Sequence, residues 1–150
     1  MELTLQDMFE EDEADAIDWN GQIVRSVIRF PVEDNMRIRL RRLGSSRDRA
    51  QALKLSVNSG QLVVVDNGFS HQSVSIWSHT APEEVELRVD GRRATRLDVW
   101  NAWSLDGVDN SWIGNAGIVI QDHAGGHTLQ CSDGVGVPDF ADLAIWIGLS

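Results

Sequence analysis

Several groups of residues in this chain have the types and spacing to do chemistry. His123, His127 and Cys131 recur at intervals of four. If the histidines met across a turn beside the thiol, they would supply three zinc ligands, or a nucleophile with its base. No fourth ligand lies nearby in the chain, and a lone cysteine is more often a small buried hydrophobe. Cys131 is therefore expected in the core and no metal is expected at the histidines. A second group is acidic: Asp106 and Asp109 in one loop, then Asp133, Asp139 and Asp142 in another. Clustered carboxylates suit calcium or general acid–base work. Asp-Gly pairs are also ordinary turn formers, which is the expected role here.

The third group is tryptophan. Six of the ten aromatic residues are Trp, and Tyr is absent. In a strand, Trp100 and Trp103 point to opposite faces because their separation is odd. At most one enters the core. Trp77 lies off the Val74 and Ile76 face and raises the same question. Exposed indoles suit stacking on sugar rings or packing on a protein partner. The fourth group is arginine. Arg25 and Arg29 fall on one face of a first strand, and Arg37, Arg39 and Arg41 on one face of a second. Paired as a hairpin, these would present five like charges, which repel across strands and want acidic counterparts. The acidic amino-terminal arm is the nearest in sequence, and an intramolecular charge match is the expected outcome.

Charge distribution narrows the function classes. The chain has 150 residues, 23 acidic and 13 basic, with a formal charge of -10. Eight of the acids and none of the bases fall in residues 1–18, so the remainder is nearly neutral. Nucleic-acid binding through bulk charge is excluded, because phosphate contacts need a basic face. No apolar run approaches the roughly 20 residues of a membrane span, and the first residues lack the pattern of a signal peptide. One cysteine cannot form an internal disulfide. A cytoplasmic setting is expected.

The elements follow from periodicity. Residues 4–16 read as the one helix, with Thr4 and Asp7 as a capping box and Leu3 stapled to Met8. From residue 22 the apolar period changes from 3.6 to 2. Strands are predicted at 22–30, 36–43, 53–58, 61–66, 73–79, 84–90, 94–103, 112–121, 128–132 and 143–149. Ser59-Gly60 reads as a hairpin turn, and Asn67-Gly68, Asp90-Gly91, Asp106-Gly107 and Asp133-Gly134 punctuate the rest. About nine or ten short strands without alternating helices predict an all-β fold. The expected architecture is an antiparallel, jelly-roll-like β-sandwich at 21–150 preceded by an acidic helical arm at 1–20.

Four stretches carry a resemblance: Val99-Trp100-Asn101-Ala102-Trp103, Trp112-Ile113-Gly114-Asn115-Ala116-Gly117-Ile118, Cys131-Ser132-Asp133-Gly134 and Asp139-Phe140-Ala141-Asp142-Leu143. Together they resemble a group of small bacterial proteins of no assigned function. The resemblance implies no activity, only that the four stretches meet in space. Asn101 and Asn115 are polar residues within apolar strands, and such groups need hydrogen-bond partners once buried. A buried cluster of Asn101, Asn115, Asp133 and Asp139 is expected, tying loops to the sandwich.

The expected function is a non-enzymatic binding or protein-interaction domain, with a homo-oligomer among the expected states. Its candidate binding residues are Trp77, Trp100, Trp103, Asn101, Asn115, Asp133 and Asp139, its ligand a protein or a saccharide. One alternative is a small hydrolase or carbohydrate-active module using Asp106, Asp109, Asp133 and Asp139. Another is a calcium-dependent binding module. Apart from that calcium, no cofactor is expected.

Overall fold

The computed structural model describes residues 3–150. Thr4 starts α1 (Leu5–Asp12), the one helix among them. The Thr4 hydroxyl accepts from the Asp7 amide and the Asp7 carboxylate accepts from the Thr4 amide, closing the expected capping box. The helix stops earlier than its periodicity suggests. Glu13 takes left-handed backbone, and its N–H turns back to the Glu10 carbonyl. The acids at this end have no base to offset the helix dipole. Leu5 is buried, whereas Leu3, the expected staple residue, is exposed.

The strands in chain order are β1 (Ala16–Trp19), β2 (Gln22–Arg25), β3 (Ile28–Pro31), β4 (Arg37–Ser45), β5 (Gln51–Val57), β6 (Gln61–Val64) and β7 (Ser70–His71). There follow β8 (Ser73–Trp77), β9 (Glu84–Asp90), β10 (Arg96–Leu105), β11 (Val108–Asn110), β12 (Gly117–His123), β13 (Gly126–Ser132) and β14 (Leu143–Leu149). All pair antiparallel. One sheet of nine runs β1-β2-β12-β13-β14-β4-β9-β6-β7. The other runs β11-β10-β5-β8, with β3 sharing the β11 edge of β10. The chain crosses between sheets at most connections, which is the sandwich logic expected from the sequence.

Alternation decides which side chains meet between the sheets. Ile38 and Leu40 of β4, Leu87 and Val89 of β9, and Ile145 and Ile147 of β14 face Leu53 and Leu55 of β5 and Leu97 and Val99 of β10. Cys131 joins this core as expected. A smaller cluster forms where α1 covers the far end of the large sheet, with Leu5 against Ile17, Val24 and Val119.

Three sequence readings need correction. The stretch 22–30 breaks at Ser26-Val27, so β2 and β3 lie in different sheets. Arg25 and Arg29 therefore do not share a surface with Arg37, Arg39 and Arg41. Of the latter three, Arg39 lies opposite Glu86 and Arg41 opposite Glu84 of β9, while Arg37 lies opposite Arg88 and pairs with Glu86, so the acids beside them are those of β9, not the arm. Within the arm, Asn20-Gly21 turns β1 onto β2, so residues 16–19 belong to the sheet and only α1 stands outside it. Finally, Ser59-Gly60 does not make a hairpin. It is a corner where the chain leaves one sheet for the other, packed on the equivalent corner at Asp90-Gly91.

Gly60 shows what that corner demands. Its φ is 76°, and the position of a Cβ there is occupied by the Asp90 carbonyl oxygen. Gly68 has nearly the same φ, 74°, but open space beside it. Gly68→Ala should cost about 1–2 kcal/mol for left-handed backbone alone. Gly60→Ala should cost about 1–3 kcal/mol more, because the backbone of the facing corner must also move. Urea unfolding of the two variants checks the difference.

Candidate functional site

Polar side chains collect at one end of the sandwich. Gln51, Asn101, Ser132 and Asp133 are essentially inaccessible, and Asp142 nearly so. Asp133 directly follows β13, and its carboxylate accepts from Arg49 Nε and Gln51 Nε2, each at 2.9 Å, and from the Val135 amide. Asn101 donates to the Ser132 carbonyl at 2.9 Å, and the Ser132 hydroxyl accepts from the Asp139 amide at 3.0 Å. The Asp133 amide donates to Asp142 Oδ2 at 3.0 Å. Asn115 stands at the flank, donating to the Gly136 carbonyl at 2.7 Å and accepting from the Leu5 amide at 3.0 Å. The four stretches singled out in the sequence thus meet, with Trp103 packed against Gly134 and Gly114 against the Gly134 backbone. This arrangement ties loops and sheets together. It leaves Asn101 and Asp133 too deep to touch a ligand, and Asp139 engaged as a cap on the Ala141 amide.

The histidine and cysteine residues do not converge. His127 lies opposite Asp122 on the core side of the β12–β13 hairpin, with Nδ1 at 2.7 Å from Asp122 Oδ1 and its ring against Phe30. His123 lies on the other side and meets Thr128 Oγ1 at 2.9 Å. Cys131 points into the core, where burial pushes the thiol up, away from the thiolate a nucleophile requires. Among the described residues no group of three or more His, Cys, Asp or Glu is placed to hold a metal ion.

Tryptophan divides as alternation requires. Trp103 is in the core with 1% exposure, so it cannot serve a ligand. Trp100 sits on the outer face of the small sheet and stacks on Trp112, with ring centroids 5.1 Å apart. Trp77 is half-buried on the same face, opposite Ala52 and edge-on to His79. The alternation over 112–121 places Trp112 in a strand; it lies instead in the loop before β12, with φ 61° and about half its surface exposed. Bulky side chains rarely adopt that backbone. Its indole N–H donates to the Ser26 carbonyl at 2.9 Å.

An open groove of about 620 Å³ runs from this indole pair to α1. Its rim carries Glu10, Glu13, Asp15 and Asp98 against one base, Arg29. Arg29 is held on both sides, 2.7 Å from Asp15 and 3.7 Å from Asp98, and the Asp15 hydrogen bond raises its pKa further. A second cleft, about 700 Å³, lies on the outer face of the large sheet beside Trp146. Residues 143–149 read in the sequence as one apolar run, which hid Trp146. The signal was Trp146 and Gly148 sharing the parity opposite to Ile145 and Ile147.

No helix of the described residues is long and apolar enough to cross a membrane. Comparison of the chain with protein-family models, curated proteins and solved structures finds no match.

The polar end of the sandwich has a pH signature. Burial pushes the Asp142 carboxyl from 3.8 up to about 6; the Asp133 amide opposes this and the charges of Asp133 and Asp139 add to it. Between those values the folded protein holds a proton that the unfolded chain releases. The contribution of Asp142 to stability is therefore present below about 3.8 and lost as pH rises through about 6. Asp142→Asn keeps an acceptor for the Asp133 amide and removes the titration. Its melting temperature should gain on the natural protein's steadily across that window. Parallel melting curves against pH would contradict the assignment.

Proposed function

We propose that the protein is a non-catalytic interaction domain, and that the groove between α1 and the small sheet takes a basic segment of a partner protein. The observation that carries this reading is the Trp100–Trp112 stack, in which half-buried Trp100 supports an exposed Trp112 held in costly backbone beside an acidic rim. Left-handed backbone at a bulky residue costs on the order of 1–3 kcal/mol and persists where the surroundings impose it. The Ser26 carbonyl and the Trp100 ring do so here. Guanidinium and ammonium groups bind over indole faces, and carboxylates beside the ring add to that attraction. Glu13 has no hydrogen-bond or ion-pair partner for its side chain among the described residues, and Glu10 has only Gln6.

Three of the four carboxylates that a hydrolase or calcium module would use have other employment. Asp109 pairs with Lys54 at 2.9 Å, Asp133 lies under Arg49 and Gln51, and Asp139 caps a turn. Those contacts favour the binding reading over either alternative.

Titration of the full chain with a blocked hexa-arginine peptide tests this reading. Binding should weaken with salt and fall about tenfold or more in Trp112→Ala. Glu13→Gln should weaken it by a smaller factor. Affinity that Trp112→Ala leaves unchanged would mean that the peptide senses only the protein's net charge, and would overturn the proposal.

A further inference from the structure

We infer that the outer face of the large sheet is a separate binding site, and that it takes a neutral saccharide whose pyranose rings lie flat on Trp146. Ile145 and Ile147 of β14 are in the core, so alternation sends Trp146 outward, between Thr128 of β13 and Arg41 of β4. The indole lies along the sheet. A Cβ on Gly148 would stand 2.5 Å from the ring and one on Gly126 2.7 Å from it. Both glycines are buried, and both sit in strands. Glycine in a strand interior weakens the sheet and marks a place where something must approach the backbone closely. Here that something is a flat aromatic plate.

The cleft beside the plate is lined by Arg39, Arg41, Leu43, Asp66 and Glu84. Leu43 is the extra residue of a β-bulge, since Arg42 faces Ile145 and Gly44 faces Ala144. Bulges re-aim side chains, and this one leaves Leu43 half exposed at the cleft. Arg37, just outside, is satisfied by Glu86 at 2.8 Å. The side chains of Arg39, Arg41, Glu84 and Asp66 have no hydrogen bond or ion pair among the described residues. Glu86 lines the cleft as well and carries Arg37 as its partner, so three arginines (Arg37, Arg39, Arg41) balance three carboxylates (Asp66, Glu84, Glu86).

That combination selects its ligand. An aromatic plate wants a flat apolar face, and the flanking donors and acceptors want hydroxyls around an uncharged rim. A pyranose with equatorial hydroxyls offers axial C–H bonds on its faces and hydroxyls at its edge. A nucleotide would also stack, but its phosphates would bring net charge to a site whose arginines and carboxylates already balance. The cleft volume lies within the range of ordinary ligand sites. The site lies on the other sheet from the Trp100–Trp112 groove and does not depend on the reading given to that groove.

The test is calorimetric titration of the full chain with cellohexaose, xylohexaose and, for charge, hexagalacturonate. At least one neutral oligosaccharide should bind, with an affinity little changed by salt. Trp146→Ala should weaken it about tenfold or more while far-ultraviolet dichroism keeps its strand signature. Arg41→Ala, at an exposed position, should weaken it several-fold and serves if Trp146→Ala does not fold. Val137→Ala, in neither groove, should bind as the natural protein does. Absence of heat with both neutral oligosaccharides would overturn the inference. So would binding unchanged in Trp146→Ala (or, if that fails to fold, Arg41→Ala), or a preference for hexagalacturonate that high salt abolishes.

Discussion

A carboxylate with no exposure to solvent sits where the two sheets come together. Asp133 would be costly there unless its charge were paired and its oxygens satisfied. Arg49 and Gln51 meet it from the start of β5, and the Val135 amide meets it from its own loop. Arg49 is held charged by the same hydrogen bond. Once that carboxylate is fixed, the rest of this end follows. The loop 133–142 is pinned by Ser132 and Asp142, and Gly134 closes over the Trp103 ring. Gly136 then accepts from Asn115, and Asn115 accepts from the first amide of α1. The position of α1, one wall of the acidic groove, thus traces back through hydrogen bonds to a single buried charge.

The side chains proposed for recognition are, by the same geometry, those the core does not need. Each sheet buries one face, and alternation exports every second residue. On most exported positions this chain places small or charged groups. Trp100 on one sheet and Trp146 on the other depart from that rule, and each departure brings a local expense with it. For the first it is the left-handed backbone of Trp112. For the second it is two glycines in strands of the large sheet. Where a chain accepts local cost without a gain in packing, function is the economical explanation.

Much of this was legible in the residues. The period-2 pattern gave the all-β sandwich, the clean alternation of Ile38 and Leu40 with the arginines, and the opposite faces of Trp100 and Trp103. Of the expected buried cluster of Asn101, Asn115, Asp133 and Asp139, only Asn101 and Asp133 are buried, with Asn115 at the flank and the Asp139 side chain exposed. The capping box at Thr4 also followed from local chemistry. Partner choice did not. Ser59-Gly60 and Asp90-Gly91 carry the composition of hairpin turns, but a turn dipeptide specifies a bend and not which sheet receives the next strand. The same limit placed Arg25 and Arg29 beside arginines they never meet. Asn20-Gly21 was a readable hairpin signal concealed in an acidic stretch. Trp146 escaped because a strand with both faces apolar reads as wholly buried; only Gly148 at the same parity betrayed an open side.

The dependence on Asp133 is the claim most directly open to measurement. Urea unfolding of Asp133→Ala, followed by far-ultraviolet dichroism, should show a loss of about 3–5 kcal/mol, the usual cost of removing one partner of a buried ion pair. The Trp100–Trp112 stack should loosen with it, seen as a red-shifted emission in the folded variant. A variant within about 1 kcal/mol of the natural protein, with unchanged emission, would contradict the view that this charge organises the end of the sandwich and the groove beside it.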